Sequence, residues 1–270
     1  MALSVLNNIG SLFARNQLSF IQSSMQTTLF RLASGSRINS GADDAAGLAI
    51  ADGLRANITA LEQSARNAND GVGSLQVADG GLSQVNNLLN RAVTLATQAA
   101  NGTLSDSQRT ALNDEFTAIK AEIDRIGSTT TFNGSSVFTA STTSVFLSDG
   151  TGSSTIGTTV GTLSSTGLGL ATDISSAANA STALGEINTA ISTVSATRGT
   201  VGASINRLDS AVNVINTQVL NLQAAEDGIR ATDIGKEVAN LTRLSILSKT
   251  NIAALAQANL QQQQILALLG

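Results

Sequence analysis

Ile205-Asn-Arg-Leu-Asp-Ser-Ala-Val-Asn-Val-Ile-Asn-Thr-Gln-Val-Leu-Asn-Leu222 carries apolar residues at 205, 208, 212, 215, 219 and 222. The steps alternate three and four, which lays these side chains along one stripe of an α-helix; a strand would need every second residue. Read towards the N-terminus, the stripe continues through Val201, Val194, Ile191, Ile187 and Leu184, and only Arg198 and, downstream, Glu226 interrupt it. A heptad pattern sustained over this length predicts a coiled-coil helix, which needs partner helices to cover its seam. A helix of about 45 residues is about 68 Å long, so the expected form is a rod.

Two earlier segments supply the partners. Leu54, Ile58, Leu61, Ala65, Ala68, Val72, Leu75, Leu82, Leu89, Val93 and Ala96 form one seam, with Asp79 and Asn86 at the two positions that break it. Leu112, Phe116, Ile119, Ile123 and Ile126 form the other, opened by the capping box Ser105-Asp-Ser-Gln108 and closed at Gly127. The absence of Pro leaves long helices uninterrupted. Gly71, Gly73, Gly80 and Gly81 lie inside the first of these helices and each costs about 1 kcal/mol relative to Ala, offset by close packing or expressed as a kink. Between Arg125 and Glu186 the only charges are Asp149 and Asp173, Ser, Thr and Gly dominate, and Asn133-Gly134 signals a hairpin turn, so a small β-rich insertion joins two long helices. The fold class is therefore mainly α: a long antiparallel helical bundle or coiled coil with a small β-hairpin insertion.

Both ends are amphipathic and weakly charged. Leu6, Ile9, Phe13, Phe20, Met25, Leu29 and Leu32 form a stripe near the start, and Ile234, Val238, Leu241, Ile252 and Leu255 form one near the end. The last stretch holds Ile265, Leu266 and Leu269. Such helices are poor on their own and are suited to pairing with each other or with other copies of the chain.

Composition removes most chemistry. The 270 residues include no Cys, His, Pro, Trp or Tyr, which excludes disulfides, Cys/His metal sites and histidine-based catalysis. The net charge of −4 gives no global basic field for nucleic acid, and no stretch approaches the ~20 apolar residues of a membrane span. The opening Met1-Ala-Leu-Ser-Val-Leu-Asn-Asn-Ile9 has neither a cationic region nor a continuous apolar run, so no cleaved signal peptide is expected. The pair Asp43-Asp44 reads as a helix N-terminus, where carboxylates interact favourably with the dipole, because adjacent acids alone make no metal or acid/base site. No enzymatic function, metal or cofactor is expected.

Arg31-Leu-Ala-Ser-Gly-Ser-Arg-Ile-Asn-Ser-Gly-Ala-Asp-Asp-Ala-Ala-Gly-Leu-Ala-Ile-Ala51 resembles the N-terminal signature of bacterial flagellins. Gln63-Ser-Ala-Arg-Asn-Ala-Asn-Asp-Gly71, Thr131-Phe-Asn-Gly134 and Ile229-Arg-Ala-Thr-Asp-Ile-Gly-Lys-Glu-Val-Ala-Asn-Leu-Thr242 extend the resemblance at both ends. It implies a terminal coiled coil from 1–42 with 229–270, a helical rod over 43–228, and a variable Ser/Thr/Gly-rich tip within it over 129–182. It further implies a filament subunit that polymerises through Leu6, Ile9, Phe13, Phe20, Leu29, Leu241, Ile252, Leu255, Ile265, Leu266 and Leu269. Implied partners are other copies, an export chaperone, and filament cap and hook-associated proteins. Export by the flagellar type III system to an extracellular filament is implied as well, with a hook–filament junction protein as the alternative. In flagellins sensed by Toll-like receptor 5, the recognised patch matches Arg91, Leu95, Gln98 and Glu115 here. Neither nucleic acid nor membrane is among the expected partners.

Overall fold

The computed structural model describes residues 8–148 and 152–269, leaving aside the side chains of 153 and 265–269. Among them are five helices, α1 (Ile9–Ser34), α2 (Ala45–Ala99), α3 (Asp106–Thr129), α4 (Ala177–Arg230) and α5 (Ile234–Leu269). Four short strands lie between α3 and α4: β1 (Thr131–Phe132), β2 (Ser135–Ser136), β3 (Thr143–Ser148) and β4 (Ser153–Thr158). The architecture is the mainly α one with a small β insertion that the sequence predicts. The chain forms two compact units, Met1–Arg55 with Leu222–Gly270, and Ala56–Asn221.

The second unit holds the large core. Leu75, Ala78, Leu82, Val85, Leu89, Ala92, Ala96 and Ala99 of α2 are buried in an unbroken three-four alternation. Phe116, Ile119 and Ile123 of α3 and Ala183, Ile187, Ala190, Val194, Val201 and Leu208 of α4 are buried with them. Each large apolar side chain here contributes about 1.5–3 kcal/mol by leaving water. The sequence assigns Asp79 and Asn86 to the α2 seam, but Ala78 and Val85 fill those places and the two polar residues flank them. Asp79 meets the other interruption: Arg198 Nε and Nη2 donate to its two carboxylate oxygens at 2.8 and 3.2 Å. That bidentate bond holds the Asp79 carboxyl below its ordinary range.

The helix start at Ser105 follows the sequence closely. Its hydroxyl accepts from Gln108 N–H while the Gln108 side chain accepts from Ser105 N–H. Behind this cap, buried Arg109 ties the α2–α3 turn by donating to the Ala99 and Asn101 carbonyls at 2.9 Å each.

The insertion is packed rather than pendant. β1 and β2 turn back at Asn133 (φ 49°) and Gly134 (φ 77°), the left-handed pair a two-residue hairpin requires. β3 and β4 pair antiparallel from Thr143↔Thr158 to Ser148↔Ser153. Ser64 of α2 pins this ribbon, its Oγ donating to Ser148 O at 2.8 Å and accepting from Ser148 N–H at 2.7 Å. The α2 glycines receive the insertion: a Cβ on Gly71 would sit 2.7 Å from Val145, one on Gly81 2.9 Å from the Phe138 ring, and one on Gly73 3.4 Å from Phe132. Close packing therefore offsets their helix cost at these three positions, whereas Gly80 faces open space. Further on, Leu163, Leu168, Leu170 and Ile174 are buried, and Asp124 accepts from Ser165 N–H at 2.7 Å. Asp173 accepts from Ser175 N–H and Oγ and from Asn179 Nδ2, which lowers its pKa to about 2.

Candidate assembly face

In the first unit, α1 packs antiparallel on α5. Asn8 Nδ2 donates to Ala258 O at 3.1 Å at one end, and Arg31 Nη1 donates to Glu237 Oε1 at 3.5 Å at the other. Between them, Ser11, Ala14, Leu18, Ile21, Met25, Thr28 and Leu32 form the α1 side of the seam. Glu237, Leu241, Leu244, Ser248, Asn251, Leu255 and Ala258 form the α5 side. Both rows keep the heptad step, and only Ala14, Ile21, Thr28 and Glu237 in them are buried, the others being half-buried.

The junction below α1 is a backbone clasp. Gly35 caps the helix in the left-handed conformation (φ 68°), and its carbonyl accepts from Thr232 N–H at 3.0 Å. Arg37 N–H donates to Arg230 O at 2.6 Å and its Nη2 to Ile229 O at 2.8 Å. The turn into α2 is closed by Asp43, whose carboxylate accepts from Asn39 N–H, Ser40 N–H and Ser40 Oγ, and whose pKa is lowered by these bonds, chiefly the Ser40 hydroxyl's. Asp44 then accepts from Gly47 N–H in the first turn of α2, so the acidic pair serves a helix N-terminus, as read from the sequence. Arg31 joins the two parts, 3.7 Å from Asp43 and 3.5 Å from Glu237.

The assembly residues named from the sequence fall into two groups. Leu241 and Leu255 lie half-buried in the α1–α5 seam. Ile9 and Phe13 (each 72% exposed), Phe20 (70%), Leu29 (48%) and Ile252 (53%) lie on the outer sides of the pair instead. Leu6 lies outside the described residues, as do the side chains of Ile265, Leu266 and Leu269. The sequence stripe also passed over Leu12, Phe30, Ile246, Leu247 and Leu260, all exposed. Their signal was present but split: α1 and α5 carry apolar residues on two sides, so no single stripe stands out.

The second cluster named from the sequence lies in the other unit. Arg91 of α2 donates from Nε and Nη2 to the Glu115 carboxylate of α3 at 2.8 and 3.1 Å. The hydrogen bonds raise the Arg91 pKa and lower that of Glu115. Gln98 is exposed, while Leu95 is 1% exposed and belongs to the α2 core face. Among the described residues no group of three or more His, Cys, Asp or Glu is arranged to hold a metal, and no helix is long and apolar enough to cross a membrane.

The fold and this face define a helical structural protein whose paired ends leave large apolar side chains uncovered. Family models for the bacterial flagellin N-terminal and C-terminal helical regions match residues 5–143 and 184–269. The chain is 38% identical to a flagellin of Halalkalibacterium halodurans over 97% of its own length and 98% of the relative's. It is 34% identical to flagellin FlaB2 of Treponema pallidum, again over 97% and 98% of the two chains. This chain belongs to the bacterial flagellin family. A solved structure of a flagellar hook-associated protein from Vibrio parahaemolyticus has the same fold at 16% identity, with a TM-score of 0.56 over 70% of this chain and all of that one.

Proposed function

We propose that the protein is the structural subunit of a flagellar filament and polymerises through the outer faces of α1 and α5. The observation that carries this is the exposure of Ile9, Phe13, Phe20 and Ile252 on a helix pair already closed along its own seam. Several large apolar side chains left exposed on one helix pair mark an interaction surface, and a second copy of the chain offers the same need. Family membership supports the filament role, and near-complete matching to flagellins at 34–38% identity favours it over a hook–filament junction protein. The two are separated by copy number in sheared filaments: a filament subunit is the bulk protein, a junction protein a trace. A trace amount would refute the proposal.

The same reading divides the chain into a filament-core part, 1–42 with 229–270, a helical rod over 43–228 and a variable tip over 129–182 within it. It places the protein outside the cell after export by the flagellar type III system. An export chaperone and the filament cap and hook-associated proteins are its further partners. Recognition by host Toll-like receptor 5 would use exposed Arg91, Gln98 and Glu115, with Leu95, named from the sequence as part of the patch, acting from beneath as a packing residue. Arg91→Ala with Glu115→Ala should strongly weaken receptor activation by the monomer without unfolding it; full activation by that variant would refute the patch.

A further inference from the structure

We propose that a groove in the second unit, between the two hairpins of the insertion, takes an extended segment of another polypeptide as an added strand, an interaction separate from polymerisation. In an antiparallel pair, facing residues alternate between exchanging both backbone hydrogen bonds and exchanging none. Ser148 uses its N–H and its C=O on the Ser64 hydroxyl, so Ser148↔Ser153 exchanges none, and Phe146↔Thr155 and Ser144↔Gly157 follow at steps of two. The backbone groups of Ser144 and Phe146 therefore point away from β4. Asn67 Nδ2 donates to one of them, the Phe146 carbonyl, at 3.1 Å. Phe146 N–H and both groups of Ser144 have no partner among the described residues. In the smaller hairpin the two-residue turn makes Phe132↔Ser135 an exchanging pair, and Val137 N–H donates to Thr130 O at 3.2 Å. Ser136, between them, points its N–H and C=O away from β1, again without a partner among the described residues.

These two bare edges are walls of one groove. Ser136 lines it on one side, Ser144 and Phe146 on the other, and Asp70, Gly71 and Ser74 of α2 form the floor. Its volume is about 670 Å³, inside the roughly 300–1,000 Å³ range of ligand sites. Exposed strand edges are usually guarded by Lys, Pro or a bulge, yet neither Ser135–Ser136 nor Thr143–Ser148 carries a charge or a Pro. A strand laid in the groove gains backbone bonds from both walls. Its side chains alternate between the two faces. Those turned to α2 must be small, because Gly71 and Ser74 lie beneath them. The others stand beside the Phe146 ring, 50% exposed on the face opposite buried Val145 and Leu147, where aliphatic and β-branched residues pack well. Asp70 is the one charged residue lining the groove; it is exposed and forms no side-chain hydrogen bond or ion pair among the described residues, so the fitting segment carries a Lys or Arg. A neutral sugar would meet Asp70 and the serine hydroxyls but has no ladder of N–H and C=O groups to match both edges.

The test is amide hydrogen exchange of the full-length monomer, kept below its assembly concentration, with capped hexapeptides that alternate Val and Ser and carry Lys at one end or the other. At saturating peptide, exchange at the Ser136, Ser144 and Phe146 amides should slow about tenfold or more. N-methylation of the peptide backbone should weaken binding by a similar factor, because it removes the pairing N–H groups and leaves the side chains. Asp70→Asn should weaken binding about twofold to fivefold and reduce its salt dependence. Ser144→Pro removes an N–H that the fold does not use, at an edge where Pro is tolerated, and should abolish binding while thermal unfolding changes little. Unchanged exchange at all three amides, equal binding of the N-methylated peptides, or full binding by Ser144→Pro would each overturn the proposal. Protection of the same amides by maltohexaose, without peptide binding, would assign the groove to a sugar and overturn it too.

Discussion

Replacing Phe13 and Phe20 by Ala should separate stability from assembly. In the protomer these rings are 72% and 70% exposed, so their removal takes little from the folded chain. Fully burying a Phe side chain contributes about 1.5–3 kcal/mol, and burying seven-tenths of two rings contributes about 2–4 kcal/mol per subunit. At 1.4 kcal/mol per tenfold, the critical concentration for polymerisation should rise roughly thirty- to seven-hundredfold. Contacts that cover the rings only in part bring the lower figure. The assay is sedimentation of polymer against total protein, beside thermal unfolding of the monomer, which should shift by less than about 0.5 kcal/mol. Ile21→Ala is the contrasting variant: Ile21 is buried in the α1–α5 seam, and its truncation should cost about 2–4 kcal/mol within the protomer itself. If the double Phe variant polymerises at the parental concentration, the outer face of α1 is not an assembly surface. If it unfolds as Ile21→Ala does, the assignment of inner and outer faces is wrong.

Other variants test the second unit and its insertion. Gly80→Ala should raise stability by about 1 kcal/mol, because its Cβ meets open space and helix propensity favours Ala; Gly127→Ala should lower it, because its Cβ would collide with the Leu163 carbonyl, and chemical denaturation of the two side by side reads the opposite signs. Ser64→Ala should cost about 1–3 kcal/mol by leaving the Ser148 N–H and C=O without their α2 partner, measurable as a lower denaturation midpoint. Asp173 has a folded pKa of about 2, depressed from 3.8, so its contribution is present above pH 4 and lost as pH falls towards 2; Asp173→Asn should flatten the acid limb of the stability curve in that window.

The long helices were legible because their heptads run for many turns, and the cap at Ser105 because its chemistry is local. What misled the reading was the weight given to large side chains. In α2 the true seam alternates Leu75, Ala78, Leu82, Val85, Leu89 and Ala92, and its Ala members are too small to announce a face; Asp79 stood out in their place. That Asp79 and Arg198 interrupt two separate stripes was visible, but their pairing across 119 positions needed the register of the fold. The same bias governs the ends. The stripe of Ile9, Phe13 and Phe20 draws the eye, yet the residues that meet α5 are Ser11, Ala14, Leu18, Ile21, Met25 and Thr28, smaller on average and partly polar. The α1–α5 seam mixes Ser11, Ala14 and Thr28 with Leu18, Ile21 and Met25, and it joins α1 to α5 without using the Phe side chains. It leaves the bulky side chains on the far side, where covering them requires molecules beyond the chain. Periodicity finds both faces but does not say which partner each one meets; in this protein, residue size on the two faces of α1 carries that distinction.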